Sequence, residues 1–209
     1  MVWRSHLTAN IDNHRRFLLR KLAFLATVFA FFALPNLASA QQGDAMFGFG
    51  TLVSNQSCGS FCPEKGGLYT NIGGDVIFHK HVGFAFDATW RTSQGNYFGQ
   101  PYRPILFDFN GVYQPRISKK VGADLMGGIG WQTTRFYLPF CTNQFTCNNY
   151  TSSNHFLVDV GAGLRYYVWG HFFVRPEVRY YHILNNTDQF SSDNVFHVGA
   201  SIGYTIGPD

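Results

Sequence analysis

The chain is expected to fold as an all-β protein, an eight-stranded antiparallel up-and-down transmembrane β-barrel with its apolar face turned outward. Three observations carry that expectation. Eight segments after residue 41 alternate bulky apolar residues with small or polar ones, the period of two that marks a half-buried strand. The links between them alternate short and long. The polar faces hold Gly, Asp and Arg with almost no Lys, a composition suited to a packed interior.

Residues 1–40 are read as a cleaved signal peptide and 41–209 as the barrel domain. Arg15, Arg16, Arg20 and Lys21 form a basic region ahead of a 13-residue apolar stretch, Leu22–Leu34. Pro35 follows, then the small-x-small pattern Ala38-Ser39-Ala40 before Gln41. The stretch is shorter than the roughly 17–25 apolar residues of a spanning helix.

This leader also explains the charge. Five of the 16 basic residues and one of the 12 acidic residues precede Gln41, so the remainder carries 11 of each and is formally neutral. The pI near 8.9 therefore arises from the leader and implies no nucleic-acid partner. Charged residues make up 13% of the chain, against about 25% in a typical soluble domain, while aromatics reach 18%.

The first expected strand is Ala45–Val53, where Phe47, Phe49 and Thr51 alternate with Gly48 and Gly50. The second, Leu68–Phe78, sets Ile72, Val76 and Phe78 against Asn71, Gly73 and Asp75. The third, Val82–Arg91, sets Phe84, Phe86 and Trp90 against Gly83, Asp87 and Arg91. In the fourth, Arg103–Tyr113, Ile105, Phe107 and Phe109 oppose Asp108 and Asn110. The fifth runs from Val121 to Thr133 and extends toward Tyr137; Leu125, Ile129 and Trp131 oppose Asp124, Gly128 and Gln132.

The sixth, Phe156–Val168, places Val158, Val160 and Leu164 against Asp159, Gly161 and Arg165. The seventh, Phe172–Ile183, places Val174 and Val178 against Arg175, Glu177 and Arg179. The eighth, Val195–Ile206, alternates without a break. His79-Lys80-His81, Gln114–Lys120 and Trp169-Gly170-His171 are short turns, and the other links are long. An even strand count with turns at one end and loops at the other is the plan of an outer-membrane barrel, with both chain ends on the periplasmic side.

Orientation separates this reading from its soluble rival. In a lipocalin-like carrier the Phe and Val face would line a cavity for a hydrophobic ligand. Here Asp75, Asp87, Arg91, Asp108, Asp124, Asp159, Arg165, Arg175, Glu177 and Arg179 are expected inside, as a charge network. Arg175, Glu177 and Arg179 would form a ladder with Asp159 or Arg165. An eight-stranded barrel is just wide enough for its own side chains, so structure accounts for these charges better than catalysis does.

On this architecture, and on the last strand, the chain resembles the small OmpA/OmpX-type outer-membrane β-barrel proteins of Gram-negative bacteria, as a stand-alone barrel. His197-Val198-Gly199-Ala200-Ser201-Ile202-Gly203-Tyr204 fits that family's assembly signal of polar-x-Gly-x-x-apolar-x-aromatic. The resemblance implies that the barrel-assembly machinery reads Gly199, Ile202 and Tyr204. Thr205–Asp209 follow the final aromatic, whereas the family often ends there.

Cys58 with Cys62 and Cys141 with Cys147 are two close pairs in long loops, expected as disulfides in an exported protein; inter-loop pairing is the alternative. Neither pair has the C-x₂-C spacing of a zinc site. Ser153 and His155, or His182, could serve a lipid hydrolase, but no G-x-S-x-G accompanies them. The expected protein is non-enzymatic, without cofactor or metal, and sits in outer-membrane lipid. Its extracellular ligand is unspecified, and binding, adhesion or envelope integrity would reside in the loops. A lipid- or lipopolysaccharide-modifying enzyme is the alternative.

Overall fold

The structure, a computed structural model, describes residues 42–54, 65–137, 140–143, 146–186 and 192–207. The expected signal peptide, Cys58 and Cys62 lie outside the described residues. Eleven strands follow in chain order: β1 (Gln42–Val53), β2 (Tyr69–His79), β3 (Val82–Arg91), β4 (Gly95–Tyr97), β5 (Gln100–Tyr113), β6 (Val121–Phe136), β7 (Phe140–Asn143), β8 (Thr146–Asn148), β9 (Thr151–Trp169), β10 (Phe172–Ile183) and β11 (Asn194–Ile206).

Eight of them form one antiparallel sheet in the order β3-β2-β1-β11-β10-β9-β6-β5, and β5 pairs back onto β3. The first long strand therefore lies against the last, from Gly43 opposite Ile206 to Val53 opposite Phe196. Closure satisfies every strand edge, which a sheet in hydrocarbon requires because no water is present to bond a free N–H. The three short strands were not expected. β4 folds back on the start of β5, and β7 pairs with β8 within a long loop. Their runs of three or four residues are too short to show a period.

Alternation sorts the side chains. Phe84 (68% exposed), Ile202 (61%) and Val160 (58%) stand on the outer wall, while Asp87, Asp108 and Asp124 inside are wholly buried. Aromatic pairs brace the outer wall, including Phe107 stacked on Trp131 at 5.1 Å and Phe172 edge-on to Tyr204 at 4.8 Å. The ladder between β9 and β10 lapses between Val174 and Glu177, where Pro176 has no N–H to donate.

Two turns at the short end have just two residues between strands. Lys80 (φ 49°) and Gly170 (φ 51°) take their first positions. Such tight hairpins favour a positive φ because it matches the strand twist.

A closed sheet of this kind resists detergent. The folded protein is expected to migrate faster on a detergent gel unheated than after boiling; identical migration would contradict closure.

Candidate functional site

The lumen is filled by a continuous chain of ion pairs. Arg165, on β9, reaches across to three other strands. It donates to Asp44 on β1, to Asp75 on β2 at 2.5 Å and to Asp124 on β6 at 2.8 Å. Its guanidinium lies 4.5 Å from the centre of the Phe173 ring. That ring occupies the space a side chain on Gly203 would need, so a glycine on β11 makes room for the platform under Arg165.

Arg175 links this cluster to the next, at 3.5 Å from Asp124, 2.6 Å from Glu177 and 4.0 Å from Asp87. Arg179 then holds Asp87 at 2.7 Å, Asp108 at 2.9 Å and Glu177 at 3.3 Å. The Tyr181 hydroxyl donates to Asp108 at 3.2 Å, and Asn110 donates to the same carboxylate at 2.6 Å. All three arginines are buried, which is tolerable only with this density of partners.

The arrangement departs from the expected ladder in three respects. Arg165 does not pair with β10 but bonds Asp124 on the neighbouring β6 and spans the lumen to β1 and β2. Asp159 is buried yet joins no ion pair among the described residues. Arg91, grouped with these charges by its strand face, sits too close to the long-loop end to reach them. It donates instead to the Tyr102 hydroxyl at 2.5 Å and lies 5.4 Å over that ring. Asp44 was missed because β1 starts before the expected Ala45.

Toward the long loops the charges give way to an apolar layer. Leu52, Tyr69, Leu106, Leu157, Tyr181, Ile183 and Val195 pack together without solvent exposure, drawn from β1, β2, β5, β9, β10 and β11. From the short-turn end a pocket of about 190 Å³ enters, lined by Gln42, Lys80, Gln114, Tyr167 and Arg165. Ionic and apolar layers thus occupy the cross-section in succession.

The other expected residues lie elsewhere. Gly199 faces inward opposite Gly50, while Ile202 and Tyr204 stand on the outer wall of β11. Cys141 and Cys147 are directly opposed in the β7–β8 ladder; their side chains lie outside the described residues. Ser153 and His155 are hydrogen-bonded at 2.8 Å and sit on the inward-facing side of β9, above the apolar layer. His182 bonds Asn194 at 3.0 Å, at the edge of the outer wall. No group of His, Cys, Asp and Glu among the described residues could hold a metal ion.

An apolar outer wall, a closed eight-stranded sheet and a lumen of buried charge define a membrane-spanning barrel. The model of the family described as "Outer membrane protein beta-barrel domain" matches residues 24–204, and the chain belongs to that family. Its location is accordingly the outer membrane. A search of curated proteins finds no match.

Solved structures of similar fold include Neisserial surface protein A, at 13% identity and a TM-score of 0.56 over 81% of this chain and 99% of that one. The attachment invasion locus protein Ail of Yersinia pestis, in complex with the heparin analogue sucrose octasulfate, matches at 14% and 0.53 over 80% and 100%. A major outer membrane protein from Thermus thermophilus matches at 10% and 0.57 over 80% and 100%. At these identities the likeness is one of fold.

Removing one partner of a buried ion network leaves the others uncompensated. Arg179→Met is expected to lower stability by about 3–5 kcal/mol, read as the urea midpoint of the fast-migrating band in liposomes. Adding Asp87→Asn and Asp108→Asn should restore part of that loss. A midpoint unchanged in Arg179→Met would show that the network contributes nothing.

Proposed function

We propose that this is a non-enzymatic outer-membrane barrel whose working surface is the long-loop end, facing outward, where it serves surface binding, adhesion or envelope integrity. The observation that carries this reading is the apolar layer across the lumen. With Leu52, Leu106, Leu157 and Ile183 closing it above the ion pairs, solutes have no wide aqueous path. The surface left for recognition is then the loops, which tolerate variation on a rigid scaffold. Residues 1–40 deliver the chain as a cleaved leader, and Gly199, Ile202 and Tyr204 present β11 to the barrel-assembly machinery.

The test is conductance across planar bilayers. The intact barrel is expected to show no steady porin-like current, and shortening the loop between β6 and β9 should abolish surface binding while leaving the fast-migrating band. A large, continuous conductance would overturn the closed-lumen reading.

Loop disulfides belong to the same proposal. Opposed positions in an antiparallel ladder are close enough to bridge, and Cys141 stands opposite Cys147. Alkylation without reductant should label none of the four thiols; labelling of all four would remove the bridges.

One observation favours the enzyme alternative: the Ser153 hydroxyl and His155 Nε2 are 2.8 Å apart, the contact that begins a nucleophile–base pair. Their place on the inward face makes a structural hydrogen bond the better account. Lipid extracts from cells expressing the protein or Ser153→Ala should have identical mass spectra. A lipid product lost only in Ser153→Ala would establish catalysis.

A further inference from the structure

The outer wall changes character abruptly on three adjacent strands. Toward the long loops the outward positions of β5 run Phe109, Phe107, Ile105 and then Arg103. On β6 they run Ile129, Trp131, Thr133 and Arg135, and on β9 Val158, Phe156, Asn154 and Ser152. The register sets Arg103 directly opposite Arg135, and Arg135 opposite Ser152. Like charges facing each other across a ladder destabilise it.

Among the described residues no carboxylate pairs with either guanidinium, whereas each lumen arginine meets at least two. Arg103 Nη2 makes a long 3.4 Å bond to the Thr92 carbonyl, and Arg135 lies 5.1 Å over the Tyr150 ring. The Nε atoms of both are buried without an acceptor. Beside them the Thr133 hydroxyl donates to Asn154 Oδ1 at 2.9 Å, forming a polar shelf just above Trp131.

Height decides what can meet the pair. Trp131 and Phe156, exposed on the wall, mark the last apolar level on β6 and β9, where aromatic rings favour the lipid–water interface. The arginines are one outward position further along or more, at headgroup depth. Opposed positions on neighbouring strands put both flexible side chains within reach of one phosphate, whose oxygens guanidinium binds in bidentate fashion.

We propose that Arg103 and Arg135 clamp the phosphate of an anionic lipid headgroup in the outer leaflet. The leaflet follows from the proposed orientation of the long loops; the clamp itself does not depend on it. The occupant is a lipid because the site adjoins the apolar wall, so acyl chains and headgroup are held by one continuous surface.

The test is native mass spectrometry of the full barrel in detergent, after incubation with bisphosphorylated lipid A or its dephosphorylated form. The protein should retain the phosphorylated lipid about ten-fold more, the scale of one charge-assisted hydrogen bond. Arg103→Gln with Arg135→Gln should abolish that preference while keeping the fast-migrating band. Arg116→Gln, at the opposite end, should not change it. Equal retention of the two lipids, or an undiminished preference in the double variant, would overturn the clamp. Displacement of the lipid by excess inorganic phosphate would overturn the lipid as occupant. Orientation is read independently, from antibody access on intact cells to an epitope inserted after Phe98.

Discussion

Hydrocarbon offers no partner to a backbone N–H, and the rest of this structure follows from that constraint. A sheet in lipid must close, and with eight strands it closes around a space narrow enough for side chains to fill. The wall must then be apolar on the outside, which leaves the inward positions as the only sheltered place for polar residues. Asp87, Asp108, Asp124 and Arg175 are wholly buried and Arg179 nearly so, yet all five stand on strands whose neighbouring residues face lipid. A soluble protein of this size would place its apolar residues where this one places its charges.

Filling the lumen with ions demands space as well as charge balance. Long guanidinium side chains cross the barrel only where facing positions are small. Gly161 packs against the Arg179 side chain and Gly163 against that of Arg175, while Gly203 leaves room for Phe173. Glycine usually weakens a strand, but here it lets the interior accommodate arginine without forcing the wall outward. The apolar layer headed by Tyr181 joins the two regimes, since its hydroxyl bonds Asp108 while its ring packs with Leu52 and Leu157.

Much of this was legible in the alternation of single residues. Parity alone sorted Phe84 and Ile202 to one face and Asp87 and Arg175 to the other, because a strand's side chains change sides at each step. What parity lacks is height. Arg91 shares a face with Asp87, but two further steps along β3 carry it out of reach of the ion pairs. Partner choice was equally hidden, since Arg165 bonds residues up to 121 positions away through the lumen rather than along the sheet. Asp44 escaped notice because Met46, an apolar residue on the inward face beside it, breaks the alternation before Phe47. The opposition of Arg103 and Arg135 needed the register of β5 on β6, which no single segment contains.

Arg165 also bears on how such a molecule comes together. Its three carboxylate partners come from the first two strands and from β6, whereas it enters with β9. The pair with Asp124 forms between neighbouring strands, but the bonds to Asp44 and Asp75 cannot mature while the ribbon is open, because β1 and β2 are then far from β9. The interior charges therefore act as a latch: they favour the sealed cylinder over every incomplete sheet, and give a partly inserted chain little electrostatic reason to halt midway.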